Sequence, residues 1–248
     1  MQRGGARPKQ RASQTACAWG AIGARARSVD RVRPFEGASD TLSAQLRDRT
    51  KDAHHAAERS GVMAALLRGQ MTRSTYALLL RSLHPIYDAL ERGLASAAHD
   101  PWIAPIHAPR VWRTAALERD LVYFAGPAWA ALPIAPAAMG YAQRLDALRR
   151  EHPGQLVAHA YVRYLGDLNG GQILARVVRK ALGLTDAAGT AFYEFAEIDD
   201  LRAESGRWRA ALDAVPADLE GRARLADEAL VGFDLHIRMF AEIAALAA

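Results

Sequence analysis

From Leu42 onward, apolar residues recur every three or four positions with few interruptions. The clearest stretch follows Thr72, where Tyr76, Leu79, Leu80, Leu83, Tyr87, Leu90 and Leu94 share one face of a 3.6-residue period. Thr72 supplies a cap, so the spacing predicts a helix from Arg73 to about Ala98, kinked at Pro85. The same reading gives one helix over Leu42–Arg68, started by Ser39/Asp40 and stopped by Gly69. Further helices are predicted over Trp112–Phe124, Ala137–Arg150, Gln155–Leu182, Asp199–Ala214 and Pro216–Leu246. No segment alternates as a half-buried strand, and no fixed-period repeat is present. The pattern predicts a single all-α domain, a multi-helix bundle over residues 39–248.

Residues 1–38 lack this period. They are rich in Arg, Gly, Ala and Ser and read as a disordered basic extension. They also carry eight Lys/Arg against two acidic residues, which leaves the remainder with 24 basic and 25 acidic groups. The formal charge of +5 therefore belongs to the extension, and the nearly neutral body is not a nucleic-acid-binding domain. The only cysteine, Cys17, lies in the extension, which excludes a disulfide framework, a zinc ribbon and a catalytic thiolate in the body. Leu121–Ala142 has no charged residue, but Pro127, Pro133 and Pro136 would break the hydrogen-bond ladder that lipid demands. It reads as a helix end followed by a buried Pro-rich connection. The expectation is a cytoplasmic protein with no membrane anchor.

Two constellations carry chemistry. On the first helix Arg47, Lys51, His54 and Glu58 are spaced four, three and four residues apart and share a face. One reading is a solvated charged face. The other is a metal-ligand histidine oriented by a carboxylate, with cations suited to the acidic arms of a cofactor such as haem. His55 lies about 100° round the helix and reads as a surface histidine. On the long fifth helix, Gly166, Gly170 and Gly171 interrupt a strong helical pattern. Three helical glycines cost about 3 kcal/mol relative to alanine. Close helix packing would explain the first two. A backbone lying flat against a planar ligand would explain all three, and it would make Asp167, set among them, a candidate acid or water-holder.

These residues bring a specific likeness into view. TKDAHHAAE (50–58) together with AHAYVRYLGDLNGGQIL (158–174) strongly resembles the biliverdin-producing haem oxygenases. ALERDLVYFAGPAW (116–129) and the last helix, with Phe233 and Phe240, are similar as well, and the likeness covers Leu42 to Leu246. The resemblance implies a helical bundle with haem held between a proximal and a kinked distal helix. It implies His54 as the axial iron ligand and Glu58 as its orienting partner. Gly166, Gly170 and Gly171 match the distal helix over the haem, and Asp167 the carboxylate that holds distal water. Tyr87 and Arg163 match the distal hydrogen-bond network. Arg47, Lys51, Tyr161 and Arg209 match positions near the propionates, and Phe233 and Phe240 cofactor-binding positions. Two departures stand out: Asn169 replaces a serine, and Ser205 falls where a lysine is usual.

The activity so implied is oxidative opening of haem to biliverdin with release of CO and ferrous iron, using O2. The distal candidate Asp167, acting through water, is a gentler proton relay than a distal histidine. No GxGxxG fingerprint is present, so electrons are expected from a separate ferredoxin or flavoprotein reductase acting on a monomer. A di-iron bundle would carry paired ExxH motifs, and none of the eleven glutamates has a histidine three residues on. A non-enzymatic haem carrier is the alternative. It needs His54 and the cations but has no use for Asp167 in a glycine run.

Overall fold

Gly61 sets the first departure from the predicted helices. The computed structural model describes residues 41–247, so the extension over 1–38, Cys17 and the Ser39/Asp40 start signal lie outside the described residues. The first helix, α1, is Leu42–Glu58, and a separate short helix, α2, is Gly61–Leu67, where one continuous helix was expected. Gly61 has φ +39°, and a Cβ built there would lie 2.0 Å from the carbonyl oxygen of Phe240. The chain turns because the backbone of α2 rests directly on the last helix, a contact only glycine permits. Gly69, at φ +69°, ends α2 as its sequence predicts.

Helix α3 is Arg73–Ser96. The Thr72 hydroxyl accepts the Thr75 amide at 3.1 Å, and the helix continues across Pro85. Helix α4 is Thr114–Ala125, and a 3₁₀ stretch over Gly126–Ala131 leads to α5, Pro136–Glu151. That stretch has no buried residue, so the connection expected to be buried instead runs over the surface, where water satisfies its backbone. Among the described residues no single helix is long and apolar enough to cross a membrane, although Pro109–Ala131 and Pro136–Glu151 pass such a test as a pair bent by 84°.

The predicted long helix is one continuous run in three parts: α6 (Leu156–Ala160), a π-helical turn (Tyr161–Leu165) and α7 (Gly166–Leu182). Helices α8 (Leu201–Asp213) and α9 (Leu219–Leu246) follow, capped by Asp200 and Asp218. Helix α3 packs along α4 and α5, while α9 touches α1, α2, α5 and α6. The described residues contain no strand. The apolar face predicted for α3 is the core: Tyr76, Leu79, Leu80, Leu83, Tyr87, Leu90 and Leu94 are all buried. Asp120 on α4 accepts the amides of Ala191 and Phe192, each at 2.8 Å, and so pins the segment that carries Tyr193.

Candidate functional site

Arg47, Lys51, His54 and Glu58 line one side of a cavity of about 420 Å³ between α1 and the π turn with the start of α7. Their spacing along α1 brings all four to the same wall. The His54 side chain is 52% exposed, and its ring meets Phe233 edge-on at 5.9 Å. Glu58 does not serve His54 alone. Its carboxylate lies 3.8 Å from His54 Nδ1 but 3.3 Å from His55 Nδ1. His55, expected to be an unrelated surface residue, lines the same cavity. Adjacent residues diverge at the backbone, but both imidazoles reach towards Glu58, at i+4 from one and i+3 from the other.

The opposite wall is the π turn and α7. A Cβ added to Gly166 or Gly170 would have nothing within 4 Å. Both glycines therefore border open space, and the helix-packing explanation for them fails. Gly171 behaves differently. A Cβ there would meet the Tyr193 ring at 3.6 Å, and Gly171 lines neither cavity. Its expected place against the cofactor is corrected: one residue on from Gly170, it turns to the interior and packs on Tyr193, whose carbonyl accepts Gln172 Nε2 at 3.1 Å.

A second space of about 220 Å³ adjoins the first and shares His54, Glu58, Val162, Gly166, Gly170 and Phe233. Asp167, Arg163 and Phe240 line this second space and not the first, so Phe240 lies apart from Arg47, Lys51 and Arg209. Asp167 Oδ2 accepts the Tyr87 hydroxyl at 2.5 Å. Arg163 Nε donates to the same hydroxyl at 2.8 Å, and its Nη2 reaches Asp167 Oδ1 at 3.3 Å. Tyr87 is wholly buried and borders neither space; its hydroxyl is joined to the lining by Asp167 and Arg163. Burial lifts the Asp167 carboxyl above its ordinary pKa, against the opposing pull of Arg163 and the Tyr87 hydroxyl.

His236 completes the network. Its Nδ1 faces the Gly232 carbonyl at 3.0 Å and its Nε2 faces Arg163 Nη1 at 2.8 Å. A proton on Nδ1 leaves Nε2 as acceptor, which fixes a neutral tautomer. Burial, reinforced by the Arg163 charge, holds the imidazole well below its usual pKa. The sequence reading missed this residue. Its position three residues after Phe233, on the same face of α9, was the available signal.

At the mouth, the Tyr161 hydroxyl meets Thr50 Oγ1 at 3.0 Å. Arg209 Nη2 reaches Asn169 Oδ1 at 3.4 Å, and Ser205 donates to the same oxygen at 2.8 Å. The two departures from the expected pattern, Asn169 and Ser205, thus bond to one another. Asn169 Nδ2 donates in turn to the Leu165 carbonyl at 2.7 Å. Among the described residues Lys51 and Arg209 have no carboxylate partner, and Arg47 pairs only with its exposed neighbour Asp48. The site is therefore a largely apolar slot with cations along one part, an accessible imidazole on one wall and a buried carboxylate lining the adjoining space.

Known proteins share this arrangement of sequence and fold. The family model described as "Heme oxygenase" matches residues 40–242. Heme oxygenase 1 of Nostoc sp. is 37% identical over 206 residues, spanning 83% of this chain and 87% of that relative. Heme oxygenase 1 of Rattus norvegicus is 38% identical over 215 residues, 86% of this chain and 74% of the rat protein. The crystal structure of heme oxygenase-1 from Synechocystis sp. in complex with heme superposes with a TM-score of 0.80 at 37% identity, covering 83% of this chain and 93% of that one. With a family match over nearly the whole described body and relatives well above 30% identity across most of their length, the chain belongs to the haem oxygenase family.

Proposed function

We propose that this protein binds haem in the slot between α1 and α7 and opens it oxidatively to biliverdin, releasing CO and ferrous iron. The observation that carries the reading is the pairing of open space over Gly166 and Gly170 with the half-exposed His54 across the same cavity. A flat apolar macrocycle with two carboxylates fits such a slot. Its faces would lie against Val162, Leu165, Phe233 and the glycine backbone. Its carboxylates would meet Lys51, Arg209 and Arg47, with Tyr161 beside them, through charge-assisted bonds.

Bound haem supplies the iron redox chemistry, with O2 as co-substrate. His54 would hold the iron through an imidazole nitrogen. Glu58 would restrict the ring from the Nδ1 side, with its carboxylate shared between His54 and His55. The bare backbone at Gly166 and Gly170 lets the opposite face approach closely while shutting out bulk water. Asp167 would hold water at Oδ1, whose contact with Arg163 Nη2 is the longer one at 3.3 Å, and move a proton through that water, while Oδ2 is engaged by Tyr87. Arg163 and Tyr87 are positioning residues: they fix the carboxylate and keep it poised as a proton carrier. A carrier protein gains nothing from such a network beside its cavity.

Electrons would come from a separate ferredoxin or flavoprotein reductase, and the protein would act as a cytoplasmic monomer. The absence of a dinucleotide fingerprint in the sequence supports the separate donor. The test is the absorption spectrum of the haem-loaded protein before and after adding reductant and air. The expected outcome is loss of the haem bands and appearance of biliverdin. Stable, reversibly oxygenated haem would instead favour the carrier. His54→Ala is expected to lose the spectrum of imidazole-ligated haem and to recover turnover in part with added imidazole.

A further inference from the structure

His54, His55 and Glu58 offer three donor atoms that all lie within 4.8 Å of one another. The Glu58 carboxylate stands 3.8 Å from His54 Nδ1 and 3.3 Å from His55 Nδ1. Donors bound to one ion at about 2.0–2.2 Å stand roughly 3–4 Å apart. A single cation between these side chains therefore needs little rearrangement. Two imidazoles and one carboxylate, with the remaining positions open to water, are a donor set suited to ferrous iron. All three groups are about half exposed, and all three line the larger cavity.

We propose that His54, His55 and Glu58 form a transient ferrous-iron site at the wall of the haem cavity, which receives the ion released when the macrocycle opens. The source of the ion rests on the haem-cleaving reading above; the affinity for a divalent cation does not. An imidazole binds one metal through one nitrogen without losing its second proton, so His54 serves either haem or the free ion. The three-donor site is complete only once His54 has let go of the haem iron, so the ion is captured after cleavage and not before. No electron changes hands: the ferrous ion exchanges the nitrogens of the opened macrocycle for His54, His55, Glu58 and water, and the vacated anionic nitrogens take up protons from solvent. Lys51 and Arg47, one and two turns back on the same face, oppose a second positive charge and keep the ion easy to release.

The experiment is anaerobic titration of haem-free protein with Co2+, whose visible bands report nitrogen ligation, and then with Fe2+. One equivalent is expected to bind. His55→Ala and Glu58→Gln should each weaken binding by about tenfold or more, and loading with haem should suppress it. The melting temperature in the presence of a chelator controls for folding. In a single turnover, a ferrous chelator should capture iron sooner from His55→Ala than from the unsubstituted protein. Binding that is absent, of higher stoichiometry, or unchanged in His55→Ala overturns the proposal. If biliverdin forms but Co2+ does not bind, this site alone is wrong; if Co2+ binds as expected but haem is never opened, the haem-cleaving reading is wrong.

Discussion

Asp167 is the side chain at which binding and chemistry are expected to separate. Haem affinity would come from apolar burial, the His54 bond and the cations at the mouth, none of which Asp167 touches. Asp167→Ala is therefore expected to bind haem nearly as well as the unsubstituted protein. Biliverdin yield should fall by about a hundredfold to ten-thousandfold, the usual range for a lost proton relay. Asp167→Asn should be intermediate, because an amide holds water but does not carry its proton in the same way. Haem titration and product yield, measured on all three proteins, decide the point. Undiminished turnover in Asp167→Ala would remove the carboxylate from the mechanism. Sequence reasoning found Asp167 because it sits among glycines. It did not find His236, since an isolated histidine on an apolar helix face is most often a core residue.

At the scale of the helix, two glycines make opposite predictions. Gly170 borders open space, so Gly170→Ala should remove an unfavourable helical glycine and raise stability by about 1 kcal/mol. Its new methyl group would project into the haem slot, so haem affinity should fall. A more stable protein that binds haem less well is the signature, read by chemical unfolding and haem titration together. Gly61 is the reverse. Its φ of +39° and the Phe240 carbonyl 2.0 Å from a virtual Cβ leave no room for alanine. Gly61→Ala should cost several kcal/mol, of the order of 3 or more, through strain and displacement of α2 from α9. A tolerated Gly61→Ala, with an unchanged unfolding midpoint, would show that the bend between α1 and α2 has no structural role.

For the molecule as a whole, the acid limb of stability should depend on Glu228, far from the mouth of the cavity. Burial alone would raise its pKa. Bonds from His159 at 2.9 Å and from Arg144 at 3.0 and 2.6 Å prevail and hold it at about 2. Burial pushes His159 below its usual pKa, so its imidazole is neutral near pH 7 and the Arg144 charge carries the effect there. A folded pKa below the unfolded value near 4.5 means stability that is complete above pH 4.5 and lost as the pH falls through about 2. Glu228→Gln should therefore lower stability at pH 7 by about 2–3 kcal/mol. Urea unfolding at pH 7, 4 and 2.5 should show the difference shrinking with acid. A constant difference would assign it to packing instead. Removal of residues 1–38 should leave haem binding and turnover intact, because the functional candidates among the described residues all lie after 42. A clear loss of either would make the extension part of the site.

The sequence by itself determined the helical character, the buried face of α3, the caps at Thr72 and Gly69, and the two constellations that face each other across the cavity. These are properties of period and local chemistry, which side-chain spacing records directly. It did not determine where α1 stops, because nothing local marks Gly61; the cause is the α9 backbone, which approaches from nearly two hundred residues away in the chain. Nor did it separate Gly170 from Gly171. Both are helical glycines, and only the position of Tyr193 decides that one borders open space and the other the core. The partition of Glu58 between His54 and His55, and the bond between Asn169 and Ser205, belong to the same class. Each depends on how close two side chains come in space, and that distance is set by the packing of whole helices.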